Sequence, residues 1–271
     1  METAIGFIGA GNMAEALIHG LRDAGLEGRQ IVATNRSRRD RLEHLRKAWG
    51  ITTTVSKAEV SAAARTLVLA MKPADLDQAM RELQPHLTDR HMIISLLAGV
   101  KCASVERYVD RQPVIRAMPN LSAAVLASTT ALAYGQHTST AHRADARSLF
   151  DRVGQTVDVS EDAMDAVTAI AGSGPAYVYL FIEALIEAGI HAGLSAAVAR
   201  DLAVQTVLGA AKFVKDTDSD PAELRRRVTS PGGTTMAALT VLEARGFKLA
   251  IGDAVRQAIR RAAELAVQRK T

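Results

Sequence analysis

Two short glycine-containing stretches in this chain could bind ligands. The first is GFIGAGNMAEALIHG, residues 6–20, which places Gly9, Gly11 and Ala14 in a G-x-G-x-x-A pattern. Gly9 permits a tight turn, Gly11 lets the backbone approach a pyrophosphate, and Ala14 allows close packing of helix on strand. The free N–H groups of a helix that begins here would face the anion. The stretch therefore predicts a dinucleotide-binding loop, in preference to an ordinary strand-to-helix turn.

The residues after the second predicted strand indicate which dinucleotide binds. An enzyme that uses NAD usually has an acidic residue there, which accepts a hydrogen bond from the ribose 2′-hydroxyl. This chain has Asn35, Arg36 and Ser37, followed by Arg38 and Arg39. A guanidinium and a hydroxyl would hold a 2′-phosphate, which a carboxylate would repel. NADPH is therefore the predicted cofactor and NADH is less favoured. For Arg38 and Arg39, a solvated helix face is an equally good interpretation.

Two further strand ends could contribute to the same site. AMKP, residues 70–73, closes a predicted strand at the sheet edge where ligands of open α/β folds bind. Pro73 restricts Lys72 to an extended conformation, so the backbone of this turn could line the cofactor. Lys72 itself has a surface position as its alternative. Asn120, in RAMPNL at the end of another predicted strand, is a candidate polar contact near the nicotinamide.

The second glycine-containing stretch is TSPGGTT, residues 229–235, which interrupts a run of predicted helices. A proline and two glycines flanked by four hydroxyl residues are poor helix formers. Such a break ends one helix and leaves the first N–H groups of the next helix free to bind a small anion. The stretch is therefore a candidate anion-binding site.

The elements that position these stretches follow two patterns along the chain. Short apolar runs alternate with amphipathic helices up to about residue 160, and only helices follow. This alternation predicts an α/β fold: an N-terminal Rossmann-type doubly wound sheet over 1–160 and an all-α C-terminal domain over 161–271. The predicted strands are 3–9, 31–34, 66–70, 92–96, 114–117, 130–133 and 156–159. The predicted helices are 12–24, 38–49, 74–83, 141–152, 176–188, 196–215, 222–228, 235–245 and 247–269.

Composition narrows the class of protein further. Of 271 residues, 48% are apolar and 23% are charged, as in globular domains, and the net charge of +4 is small. No stacking aromatics or recognised motifs favour a nucleic-acid partner. Cys102 is the single cysteine, which excludes an internal disulfide and fits a cytoplasmic location. No metal spacing is recognised, and no run of about 18 apolar residues lacks charge, so neither a metal site nor a membrane span is expected.

Taken together, the motifs resemble those of the pyrroline-5-carboxylate reductase family. The stretches that carry the resemblance are FIGAGNMAEAL (7–17), AMKP (70–73), AGSGPAY (171–177) and TSPGGTTMAALTVLE (229–243). They span nearly the whole chain, and the last two are the most specific. The resemblance implies NADPH-dependent reduction of 1-pyrroline-5-carboxylate, a small cyclic imine, to L-proline. It also implies a helical domain that builds a homodimer or a larger ring, with the substrate pocket shared between two subunits.

The resemblance further implies roles for individual residues. Thr235 is the choice for relaying a proton to the substrate nitrogen, although spacing alone does not separate it from Thr234, Ser230 or an oriented water. The implied substrate-binding residues are Ser230, Gly232, Gly233, Thr234 and Thr235. The implied cofactor-binding residues are Ile8, Gly9, Ala10, Gly11, Asn12, Met13, Asn35, Arg36, Ser37, Ser56, Ala70, Met71, Lys72, Pro73, Ala98 and Asn120.

Three other functions fit parts of the pattern. A β-hydroxyacid dehydrogenase also joins a Rossmann domain to a helical one, but that family has a catalytic lysine about one helical turn beyond a glycine-rich segment. The corresponding stretch here, GSGPAYVYLFIEAL at 172–185, contains no lysine. A reductase for a related imine and a non-catalytic NADP(H)-binding regulatory protein remain as alternatives.

Overall fold

The computed structural model of the chain describes residues 5–267 and contains an eight-stranded sheet. The strand order is β3-β2-β1-β4-β5-β6-β7-β8, and neighbouring strands are parallel except for β6 and β7. The strands are β1 Ile5–Ile8, β2 Ile31–Thr34, β3 Thr52–Thr54, β4 Thr66–Leu69, β5 Met92–Ser95, β6 Val114–Met118, β7 Ser128–Tyr134 and β8 Gly154–Asp158.

The strand order reverses beside β1. The chain runs from β1 through β2 to β3 on one side and then returns to form β4 on the other side of β1. In open α/β sheets such a reversal opens a crevice at the carboxyl ends of the two strands, where ligands bind. The loops after β1, β2 and β4 therefore meet at one edge of the sheet.

Helices cover both faces of this sheet, as the alternating pattern predicts. Successive residues of β1 point to opposite faces, so Phe7 packs in one core and Ile8 in the other. The first core receives Leu17 and Leu45 from helices on its side, and the second receives Met80. The helices are α1 Asn12–Asp23, α2 Arg39–Trp49, α3 Lys57–Ala63, α4 Leu76–Leu83, α5 Cys102–Glu106 and α6 Thr140–Asp151.

The C-terminal part is helical, which confirms the predicted fold class. Its helices are α7 Met164–Val167, α8 Gly174–His191, α9 Ala196–Thr217, α10 Pro221–Arg227, α11 Thr234–Ala244 and α12 Phe247–Val267, with a π-helical turn at Thr168–Gly172. By contacts the chain divides into two compact units. One contains the chain up to Ser173 and from Ala258 onward, and the other is Gly174–Gln257. The prediction places the boundary at 160/161.

The unit Gly174–Gln257 has almost no core of its own. In this stretch, all of which the structure describes, only Ala199 and Ala203 are buried. Large apolar side chains such as Leu180 and Leu249 are 67% and 71% exposed. Exposed apolar surface on this scale marks an interaction site.

One helical stretch, Glu161–His191, is long and apolar enough to cross a membrane, with a mean hydropathy of 1.4. Only its length and composition suggest a membrane span. Of its most apolar 18 residues, 6% are buried within the chain. The absence of a membrane span stays a prediction.

The structure also contains elements that sequence patterns did not predict. These are strand β3 and helices α3, α5 and α7. The antiparallel direction of β7 relative to β6 was also not predicted. Helix α8 continues past Gly189 to His191, although that glycine is predicted to follow the end of the helix. The start of the predicted strand 3–9 lies outside the described residues. The end of the predicted helix 247–269 also lies outside them.

Candidate active site

The first glycine of the loop after β1 is required by its surroundings. Gly9 has a φ of +110°, a conformation that side chains with a Cβ rarely adopt. A Cβ there would lie 2.6 Å from the backbone nitrogen of Met71 and 2.7 Å from the carbonyl carbon of Ala70. The loops after β1 and β4 therefore touch through Gly9.

The second glycine leaves space for a ligand. Gly11 is the N-cap of α1, in an extended conformation with a φ of −80°, and no side chain caps the helix. A Cβ added at Gly11 would meet only the carbonyl oxygen of Ala70, at 3.9 Å. Ala14 is fully buried, as its packing role predicts. The N–H groups at the start of α1 are thus available to an anion.

The loop after β2 is an Asx-type turn that presents a guanidinium. The side-chain oxygen of Asn35 accepts hydrogen bonds from the backbone N–H groups of Ser37 (3.2 Å) and Arg38 (3.0 Å). Arg36 extends to the side-chain oxygen of Gln78 on α4. The turn fixes the backbone, while Arg36 binds a neutral partner that a phosphate could replace.

The turn after β4 follows its predicted geometry. Lys72 is extended, with φ −68° and ψ 145°, directly before Pro73, which opens a 3-10 turn. The backbone N–H of Ala70 donates to the carbonyl of Ile8 over 2.9 Å, which holds this turn against the glycine loop. The turn after β4 therefore lies beside the glycine loop at the same edge of the sheet.

The three loops enclose a cleft of about 810 Å³. The cleft is also lined by side chains that sequence reasoning did not assign, among them Arg41, Lys57 and Gln78. Arg41 lies among other cationic residues of α2, and no local pattern distinguishes it from them. Predicted residues that line the cleft are Ile8, Gly9, Ala10, Gly11, Asn12, Met13, Asn35, Arg36, Ser37, Ala70, Met71, Lys72 and Pro73.

Cationic side chains dominate the charged lining of this cleft. Arg38 is bound to Asp40 at 2.7 Å, and this hydrogen bond lowers the pKa of Asp40 to about 2, so the charge of Arg38 is already balanced. Lys57 is paired with Glu82. Arg36 and Lys72 form no ion pair within residues 5–267. Arg36 is therefore the guanidinium of this loop whose charge no described carboxylate balances, and a ligand phosphate could replace its neutral partner Gln78.

Three of the predicted cofactor residues do not line the cleft. Ser56 is the N-cap of α3 and accepts a hydrogen bond from the backbone N–H of Glu59. Ala98 packs against the small core around Met118 and Met164. Asn120 lies further along the sheet edge. Contacts between these residues and a cofactor stay predictions.

Asn120 already has partners in the chain. Its amide nitrogen donates to the carbonyl of Ala171 over 2.9 Å, and its amide oxygen accepts from the N–H of Ser122 over 3.0 Å. Ala171 belongs to the π-helical turn Thr168–Gly172, in which the N–H of Ser173 bonds the carbonyl of Thr168. Asn120 thus fixes the turn that precedes α8.

The loop 229–235 has the geometry of an anion-binding helix start. Gly232 has a φ of +70°, and Gly233 is the extended N-cap of α11 without a side-chain cap. A Cβ at Gly233 would lie 2.4 Å from Oγ of Ser230, so this glycine lets the loop fold onto itself. Thr234 is exposed and Thr235 is half-buried at the first turn of the helix. The break therefore presents free N–H groups beside two hydroxyls.

Thiol and metal chemistry have little support in the described residues. Burial raises the pKa of the Cys102 thiol to about 12, so it stays protonated. Between residues 5 and 267, no cluster of three or more His, Cys, Asp or Glu side chains could hold a metal ion.

Two protein families match separate parts of the chain. Residues 161–265 match the family described as pyrroline-5-carboxylate reductase dimerisation. Residues 4–99 match the family described as NADP oxidoreductase, coenzyme F420-dependent.

Individual relatives match over their full length. Pyrroline-5-carboxylate reductase from Synechocystis is 41% identical over 98% of this chain and 99% of its own. The structure of the Coxiella burnetii enzyme has a TM-score of 0.88 at 36% identity, over 98% of this chain and 99% of that one. The Plasmodium falciparum pyrroline carboxylate reductase with NADP bound has a TM-score of 0.89 at 28% identity, over 98% of both chains. The chain therefore belongs to the pyrroline-5-carboxylate reductase family.

Proposed function

We propose that this protein catalyses the NADPH-dependent reduction of 1-pyrroline-5-carboxylate to L-proline. The observation that carries the proposal is the cleft at the carboxyl ends of β1, β2 and β4, which joins a glycine loop to Arg36, whose only described side-chain partner is the neutral Gln78. Full-length relatives named for this activity support it. When bound, NADPH supplies the hydride that reduces the C=N bond.

The cleft residues fit NADPH at both of its phosphate groups. Gly11 and the start of α1 would hold the pyrophosphate, because no Cβ fills the space in front of the helix N-terminus. Arg36, with Ser37 beside it, would hold the 2′-phosphate. No carboxylate follows β2 directly to repel that phosphate. NADP bound to the Plasmodium relative agrees with this preference.

The substrate would bind at 229–235 through its carboxylate. Free N–H groups at the start of α11 offer donors without a charged side chain. Ser230, Gly232, Gly233 and Thr234 would shape this site. Thr235 would relay the proton of the ring nitrogen, directly or through a water that its hydroxyl orients.

Little acid–base chemistry is required of the protein. A C=N bond accepts a hydride readily once its nitrogen is protonated, so the substrate carries its own activation. The main task of the residues is then to hold the imine carbon and the nicotinamide in a reactive orientation. This agrees with a site built from backbone groups and hydroxyls.

The helical part would bind a second copy of the chain. Only Ala199 and Ala203 are buried within Gly174–Gln257, so its apolar side chains need a partner surface. The match of 161–265 to a dimerisation family supports a homo-oligomer. Within this proposal, residues 161–271 form the dimerisation and substrate domain, the protein is cytoplasmic, and neither nucleic acid nor a membrane is a partner.

Removal of the Arg36 side chain is expected to change cofactor selectivity. Because charge-assisted hydrogen bonds to phosphate would be lost, Arg36→Ala should lower kcat/KM for NADPH about 10- to 100-fold and leave the value for NADH nearly unchanged. Steady-state kinetics with both cofactors measure the ratio. Arg39→Ala is the matched control, since Arg39 is exposed and does not line the cleft. An equal loss with both cofactors would contradict the 2′-phosphate role.

The activity itself is tested by NADPH oxidation in the presence of 1-pyrroline-5-carboxylate, beside its six-membered homologue. We expect turnover of the five-membered imine, with NADPH preferred over NADH. Faster turnover of the homologue would identify a reductase for a related imine. Cofactor binding without turnover of either imine would identify a regulatory protein instead.

A further inference from the structure

One arginine that lines the cleft reaches back from α2 to the glycine loop. Arg41 is the third residue of α2, and its side chain is 22% exposed. Its Nε donates to the carbonyl oxygen of Ala10 over 3.1 Å, and its Nη2 donates to the side-chain oxygen of Asn12 over 3.1 Å. Nη2 also pairs with the carboxylate of Glu15. One guanidinium therefore binds three groups of the loop and the first turn of α1.

The two uncharged partners lie on either side of Gly11. Ala10 precedes this glycine and Asn12 follows it, so Arg41 bridges the residue whose backbone would approach the pyrophosphate. A free glycine loop has many backbone conformations, and ordering it on binding costs affinity. Because the guanidinium of Arg41 bonds both Ala10 and Asn12, it orders the loop around Gly11 before a ligand binds.

The third partner is a carboxylate in an unfavourable position for an anionic ligand. Glu15 lies in the first turn of α1, where it competes with a phosphate for the positive end of the helix. Its Oε2 is bound by Arg41, and its Oε1 lies 2.7 Å from Nε2 of His44, also on α2. Both contacts direct the carboxylate toward α2, and the charge of Arg41 balances it.

From this geometry we propose that Arg41 is a positioning residue for cofactor binding. It orders the glycine loop through Ala10 and Asn12, and it neutralises Glu15 beside the helix N-terminus. The inference rests on the proposed NADPH-dependent function. Because its contacts are to the pyrophosphate loop, which NADPH and NADH share, its contribution is the same for both cofactors. This separates it from Arg36, whose contribution depends on the 2′-phosphate.

Cofactor titrations of the full-length protein test this inference. Arg41→Met should raise the dissociation constants of NADPH and NADH by a similar factor, about tenfold, while kcat at saturating cofactor changes less than about twofold. Arg41→Lys keeps the charge but lacks the planar fork, so an intermediate loss is expected. Arg46→Met is the matched control, because Arg46 lies on the same helix and pairs with Glu43 on the surface.

A second substitution separates charge from loop order. Glu15→Gln in the Arg41→Met background should recover part of the lost affinity, because it removes the unbalanced carboxylate; no recovery would overturn the charge role of Arg41.

Loss of NADPH binding alone would overturn the inference by showing a direct 2′-phosphate contact, and unchanged affinity for both cofactors would overturn it outright. A wild-type protein that binds neither cofactor would instead refute the proposed function. Thermal unfolding of each variant shows whether it is folded. If the Arg41→Met protein does not fold, the cofactor affinities of the Arg41→Lys protein test the inference instead.

Discussion

A Gly9→Ala variant is expected to lose both NADPH binding and stability, whereas Gly11→Ala is expected to lose binding alone. At Gly9 a Cβ meets the backbone of residues 70 and 71 within 2.8 Å, and the φ of +110° adds strain. The free energy of unfolding should fall by about 3 kcal/mol or more. At Gly11 the φ of −80° suits alanine, so only the space for the pyrophosphate is lost. NADPH affinity should then fall about tenfold or more.

Chemical denaturation and fluorescence titration with NADPH measure the two effects separately. Gly25→Ala is the control for backbone conformation, because Gly25 also has a positive φ, of +91°, but a Cβ there meets nothing within 4 Å. It should cost about 1 kcal/mol of stability and leave NADPH affinity unchanged. A Gly11→Ala protein that binds NADPH as tightly as the wild type would contradict the placement of the pyrophosphate.

The second large effect is expected at Thr235. Loss of a group that relays a proton typically slows a reaction by two orders of magnitude or more, so Thr235→Ala should reduce kcat about 100-fold. The dissociation constant of NADPH should not change, because Thr235 lies outside the cofactor cleft. Thr235→Ser, which keeps the hydroxyl, should recover most of the rate.

A matched threonine in the same helix provides the control. The hydroxyl of Thr240 donates to the carbonyl of Met236, whereas the hydroxyl of Thr235 has no partner within residues 5–267. Thr240→Ala should therefore leave kcat nearly unchanged. If Thr235→Ala weakens NADPH binding and leaves kcat unchanged at saturation, Thr235 is not the proton relay, and Thr234 or Ser230 becomes the next residue to test.

The sequence predicts those parts of the fold that local patterns encode. Gly9 and Gly11 mark the end of β1 and the start of α1 in the sequence. Gly9 takes a positive φ in the turn, and Gly11 is the N-cap of the helix. Strand β3, Thr52–Thr54, lies at the sheet edge and is polar, so it has no apolar run to reveal it. The direction of β7 depends on its pairing with β6, which no local pattern specifies.

The candidate site was harder to predict wherever its contacts are long-range. Arg41 looks like any other cation of α2, yet it bonds Ala10, thirty-one positions earlier in the chain. Asn120 has the right type and position for a ligand contact, but its amide is hydrogen-bonded to Ala171, fifty-one positions later. The sequence predicts α8–α12 as helices, but no local pattern says which of their faces a second copy covers.

The fate of the hydride tests the central proposal most directly. The protein is incubated with 1-pyrroline-5-carboxylate and NADPH that carries two deuterium atoms at nicotinamide C4, and the product is analysed by mass spectrometry and NMR. The proposed function predicts L-proline with one deuterium, on the ring carbon that was double-bonded to nitrogen. Proline without deuterium at that carbon, or no proline at all, would contradict it.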